Sequence, residues 1–169
     1  MRAFIALPIP PDAGPPGTER HLTLRFFPAL DAAGASAAVR AIDRLSRSHP
    51  IFAFHLEGVN GFPDLENPRV LYREIGEGRD RIVTLHDELD ALLVEEGFAP
   101  EARRFTPHVT IARVRQGSKS PHPQWPPFAT VSVAAEEIIL FESHLTPEGA
   151  VHRPRHRARL ADAPNGGPR

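Results

Sequence analysis

Two short stretches, His21-Leu22-Thr23-Leu24 and His108-Val109-Thr110-Ile111, decide how this chain is read. In an extended strand residues i and i+2 share a face, so His21 and Thr23 project together while Leu22 and Leu24 point into a core. The second stretch repeats the arrangement, with His108 and Thr110 as the polar pair and Val109 and Ile111 as the buried one. Two such strands facing each other would bring two imidazoles and two hydroxyls onto one small anion, a phosphoryl-transfer site that needs no metal.

Outward from these motifs, further segments alternate in the same way: 2–7, 20–26, 52–59, 69–75, 108–114, 130–134, 137–142 and 151–160. Two stretches have helical spacing instead. Residues 36–46 carry Val39, Ile42 and Leu45, and residues 79–98 carry Ile82, Leu85, Leu89, Leu92 and Leu93, with Gly97 near the end. Strands and helices mixed without regular βαβ alternation predict an α+β fold with antiparallel sheets. A weak internal repeat accompanies the duplicated motif: each His-x-Thr strand is followed by a Phe-Ala strand start, at Phe52-Ala53 and at Phe128-Ala129. It predicts two similar lobes related by an approximate two-fold axis, with one motif on each wall of a central cleft. Residues 1–160 are expected to form this single bilobal domain. The proline-rich stretch 117–127, which holds His122 and Trp125, reads as an irregular loop, and 161–169 as a disordered tail.

Composition narrows the chemistry. Of the 169 residues, 41% are hydrophobic and 24% charged, values of a globular protein, and the absence of cysteine excludes disulfides and thiolate metal sites. The start of the chain is too short in apolar residues and too broken by Pro8, Pro10 and Pro11 for a signal peptide, and no apolar run is long enough to span a membrane. A cytoplasmic location is the expectation. A net charge of −1 argues against coating nucleic acid through bulk electrostatics. Arg103, Arg104, Arg113, Arg115 and Lys119 nevertheless cluster around the second motif, which suits a local site for a terminal phosphate. Arg153, Arg155, Arg157 and Arg159 read equally well as a solvated strand face.

The duplicated His-x-Thr-hydrophobic pattern resembles the two-histidine (2H) phosphoesterases, and most closely the RNA 2′,3′-cyclic phosphodiesterases of the LigT/ThpR type, once called 2′-5′ RNA ligases. RAFIAL (2–7) is similar to that family's first strand, HLTLRFF (21–27) to its first motif, and FTPHVTIAR (105–113) to its second. Residues 54–63 with PRVLY (68–72) resemble its central hairpin, and LFESHLTPEG (140–149) its closing strand and turn, so the likeness covers most of residues 1–160. The chain departs from the pattern twice. Only residues 8–20 lie where the family has a full helix, which predicts a more open cleft, and His152 stands where the family tends to carry an aromatic residue.

A cyclic phosphate opens when water attacks phosphorus in line with the departing ribose oxygen, which takes one base and one acid. Histidine, with an ordinary pKa of about 6.5, can fill either role near neutrality. The resemblance implies His21 as the acid on the 3′-oxygen and His108 as the base, giving a 2′-phosphate; the residues themselves leave the order open. Thr23 and Thr110 would donate to the non-bridging oxygens. Arg25, at His21+4, shares the motif's face by parity and is a candidate phosphate or ribose contact. Arg113, at His108+5, has the opposite parity; it is taken as phosphate-binding from the resemblance, and reaching the site requires a bulge, a twist or the strand's end. The other histidines read as structural, with His152 the one of most interest. No carboxylate-histidine cluster suggests a metal, and no cofactor is implied.

The expected partner is RNA, or an oligonucleotide, ending in 2′,3′-cyclic phosphate, with a monomer as the working unit and weak reverse ligation permitted by the same acid and base. Alternatives are ADP-ribose 1″,2″-cyclic phosphate or 2′-5′ oligoadenylate as substrate, and a non-catalytic RNA- or nucleotide-binding module. A metal-dependent nuclease would lack a ligand set.

Overall fold

The computed structural model describes residues 1–14, 18–119 and 127–163; Trp125, His122 and most of the expected tail lie outside them. Chain order is β1 (Ala3–Pro8), β2 (His21–Phe27), α1 (Ala32–Ser48), β3 (Phe52–Phe62), β4 (Val70–Ile75), α2 (Arg79–Glu95), β5 (His108–Arg113), β6 (Val131–Ala135), β7 (Glu137–Thr146) and β8 (Gly149–Arg159). All strand pairs are antiparallel, in two four-stranded sheets ordered β2-β1-β7-β8 and β5-β4-β3-β6. The α+β, two-sheet architecture is therefore as expected. The Phe-Ala repeat is not its basis, however. β3 and β6, which follow from Phe52-Ala53 and Phe128-Ala129, pair with each other in one sheet instead of occupying matching places in two.

The apolar periods explain the packing. Helix α1 begins four residues before the predicted start, because the Asp31 side chain caps it by accepting from the Gly34 N–H at 2.7 Å. Its Ala38, Ala41, Ile42 and Leu45 meet Ile82, Leu85, Leu89 and Leu93 of α2 in one core with Leu22, Leu24 and Val109 from the motif strands. Gly78 opens α2 at φ 82°, and a Cβ there would lie 2.5 Å from the Ala53 carbonyl oxygen, so only glycine fits the turn. Ala161, expected in the tail, is held to the end of α1, its N–H donating to the carbonyls of Ser46 and His49. No helix among the described residues is long and apolar enough to cross a membrane.

The segment between β1 and β2 forms no helix among its described residues. It folds back on itself, the Ile9 N–H donating to Arg20 O at 3.0 Å, and buries Ile9 and Ala13 in the core. Arg73 of β4 secures it from beneath. This guanidinium is 1% exposed and donates to four backbone carbonyls, those of Glu57 (2.6 Å), Ala13 (2.9 Å), Leu56 (3.1 Å) and Ala129 (2.8 Å). Burial pushes its pKa below the ordinary arginine value.

Candidate active site

The motif strands β2 and β5 are edge strands of their sheets, and they approach one another across a cleft of about 490 Å³. His21, Thr23, His108 and Thr110 all line it. The first shared feature is a β-bulge at the same place in each motif. Ala6 pairs with Thr23 and Ile5 with Arg25, leaving Leu24 as an extra residue. On the other sheet, Tyr72 pairs with Thr110 and Leu71 with Ala112, leaving Ile111. An extra residue reverses which face each following side chain takes.

That reversal settles the two arginines in opposite ways. Arg113 reaches the cleft, where its guanidinium meets Glu19 at 2.9 Å and stays 67% exposed. Arg25 is turned away from it. Its guanidinium bonds Asp90 of α2 and the Ala99 carbonyl, each at 2.6 Å, and lies 3.6 Å from Glu101, so the predicted substrate contact is a strut between sheet and helix. Phe26 takes the cleft position instead, its exposed ring capped by Arg2 at 4.6 Å. The sequence carries a signal for the second bulge: apolar residues follow His108 at +1, +3 and +6 (Val109, Ile111, Val114), and the step from +3 to +6 breaks a period of two. In the first motif Phe26 at His21+5 continues that period and hides its bulge.

Each histidine rests on a stacked aromatic pair. Phe4 and Phe141, 5.1 Å apart, stand behind His21, and Phe62 and Tyr72, 4.3 Å apart, behind His108. His152 adds a third imidazole, set edge-on to His21 at 5.2 Å and to Phe4 at 4.8 Å, with a buried Nδ1 that has no protein partner among the described residues. Burial, then the nearby His21, lowers its pKa. The remaining described histidines sit elsewhere: His156 bonds Asp43 at 2.7 Å, His86 stacks on Phe105, and His49, His55 and His144 lie near surface carboxylates. Arg155, Arg157 and Arg159 pair with glutamates on the sheet surface, as a solvated face would.

The neighbours of the two histidines set their protons. His108 Nδ1 lies 2.7 Å from the Thr106 carbonyl, which can only accept, so Nδ1 carries the hydrogen and Nε2 keeps the lone pair of the neutral ring. Burial lowers the His108 pKa despite that bond, favouring the neutral form. His21 is turned the other way: its Nε2, not its Nδ1, faces a pure acceptor, the Glu19 carboxylate at 3.2 Å. Burial alone would raise the Glu19 pKa, but the hydrogen bond and charge of His21 and the charge of Arg113 outweigh it and bring the carboxyl down to about 2. The Glu19 N–H donates to Thr110 O at 2.8 Å, drawing the described end of the short β1–β2 connection across to β5 at this edge of the cleft. Neither threonine hydroxyl is engaged by another protein group among the described residues.

Glu19 went unremarked in the sequence, although it stands at His21−2 and so on the histidine's face by parity. Arg2 and Phe26 carried no local signal.

Comparison with known proteins agrees with this architecture. The chain is 31% identical to the RNA 2′,3′-cyclic phosphodiesterase of Thermotoga maritima, over 79% of its length and 71% of the relative's. It is 29% identical to the protein of that name from Aquifex aeolicus, over 78% and 73%. Among solved structures, TT0787 of Thermus thermophilus superposes with a TM-score of 0.75 at 24% identity, covering 96% of this chain and 99% of that one. E. coli LigT complexed with 3′-AMP gives 0.72 at 22%, covering 95% and 98%. Residues 15–119 match the model of the 2′-5′ RNA ligase superfamily, and with both His-x-Thr strands facing one cleft the chain belongs to that family.

Proposed function

We propose that this protein hydrolyses RNA ends bearing 2′,3′-cyclic phosphate, without a metal, to leave a 2′-phosphate. The observation that carries the reading is the pair of acceptors set against different nitrogens of two histidines on facing strands, the Glu19 carboxylate 3.2 Å from His21 Nε2 and the Thr106 carbonyl 2.7 Å from His108 Nδ1. Water attacks phosphorus and gives its proton to His108 Nε2; the bond from phosphorus to the 3′-oxygen breaks, and the His21 Nε2 proton passes to that oxygen. Thr23 and Thr110 donate to the non-bridging oxygens, where charge builds, and Arg113 holds the phosphate. The relatives named RNA 2′,3′-cyclic phosphodiesterase support the substrate class. So does a second open basin of about 870 Å³, lined from Val114, the residue after Arg113, with Arg69, Arg115 and Lys119 on its walls, which suits the phosphates of a longer chain. The same acid and base run in reverse would join a cyclic end to a 5′-hydroxyl. Both lobes of one chain supply the site, so we propose a monomer as the working unit.

The test is hydrolysis of a short RNA with a 2′,3′-cyclic end in the presence of chelator, with the product's phosphate position identified. A 2′-phosphate is expected. A 3′-phosphate would reverse the acid and base, and turnover confined to cyclic mononucleotides would remove RNA as the substrate.

A further inference from the structure

Glu19 is a carboxylate placed where a substrate phosphate has to go. One of its oxygens lies 3.2 Å from His21 Nε2 and the other 2.9 Å from the Arg113 guanidinium. Its backbone is fixed to Thr110 O, so the side chain belongs to the cleft and does not merely visit it. The groups facing it come from three strands: His21 of β2, His108 and Arg113 of β5, and, by its charge, His152 of β8.

Among the described residues two guanidinium groups line the cleft, Arg2 and Arg113, and Glu19 already neutralises the second of them. The proposed substrate and product differ in charge. A cyclic phosphodiester carries one negative charge, whereas the monoester formed from it loses a second proton near pH 6 and approaches two. A fixed carboxylate a few ångströms away repels the second form about twice as strongly. We infer that Glu19 is a specificity residue of this cleft, discriminating by charge against phosphomonoesters and so promoting release of the 2′-phosphate product. The inference rests on the hydrolytic reading only for what the substrate is; the charge discrimination is a property of binding.

Binding therefore tests it. At pH 8, adenosine 2′-phosphate is titrated calorimetrically into wild type and Glu19→Gln, a change that keeps a hydrogen-bond acceptor for His21 and removes the charge. The affinity for 2′,3′-cyclic adenosine monophosphate is taken from KM if it is turned over and from calorimetry if it is not. Glu19→Gln is expected to tighten the monoester about tenfold and the cyclic diester by about threefold or less. Glu19→Asp, which keeps the charge, is expected to preserve the wild-type preference. Equal tightening of both ligands, no tightening, weaker monoester binding in Glu19→Gln, or lost preference in Glu19→Asp would overturn the inference. Absence of turnover would overturn the proposed hydrolysis while leaving the binding comparison readable.

Discussion

His21 and His108 occupy the same place on matching edge strands, yet the residue two positions before each acts differently. Glu19 sends a carboxylate to Nε2 of His21, whereas Thr106 offers only its backbone carbonyl to Nδ1 of His108. The five-residue step from each histidine differs as well, reaching Phe26 in one motif and Arg113 in the other. A duplicated scaffold can thus set an acceptor against Nε2 of one imidazole and against Nδ1 of the other, without changing the motif itself. The asymmetry lies in the flanks.

The strongest way to break this comparison is to remove the imidazoles. His21→Ala and His108→Ala should each lower kcat about a thousandfold. Only the His108 change should remove the acid limb of the pH profile, which is expected below pH ~6.5 because burial lowers that pKa. A shared loss of the same limb would mean the two are not differentiated.

Glu19 gives the next effect, on stability. Its folded pKa of about 2, against an ordinary 4.5, means a contribution that is full above pH 4.5 and disappears as pH falls toward 2. The size is on the order of 3 kcal/mol. Urea unfolding at pH 6 and pH 3 should show the drop in wild type and a smaller drop in Glu19→Gln; identical drops would count against the pairing.

Thr23→Val and Thr110→Val should each cost about ten- to a hundredfold in kcat. A double-mutant cycle should show the pair coupled if both grip one phosphate. The arginines sharpen the contrast made by the bulges. Arg113→Ala should raise KM about tenfold. Arg25→Ala should leave KM unchanged and lower stability by about 1–3 kcal/mol, read as a fall in Tm.

Much of this was legible beforehand because it depends on period. Leu22, Leu24, Val109 and Ile111 point inward as alternation requires, and α2 starts at the predicted Arg79. Arg25 and Arg113 show where period stops informing, since one extra residue in each strand exchanges the faces and a parity argument sends both the wrong way. The Phe-Ala repeat failed for another reason: strand starts look alike wherever an apolar residue enters a sheet, whichever sheet it is. Glu19 was hidden because its role depends on β5, whose approach is a tertiary fact. The bond from its N–H to Thr110 O spans all of the chain between the two motifs.

Arg73 has a consequence for how the molecule folds. On β4 it pairs with Val109, the register position that Leu7 fills opposite Leu22 in the other sheet. An aliphatic side chain there can be buried as soon as its sheet collapses. A guanidinium cannot, because until Ala13, Leu56 and Glu57 of β3, and Ala129 have all arrived it would lie dry with donors unmet. Burial of Arg73 thus waits on its hairpin neighbour and on two distant stretches of chain, one of which leads into Glu19 and His21. Local opening of any of them exposes the same charge, so the amide protons around Ala13, Leu56 and Ala129 should exchange as one cooperative unit.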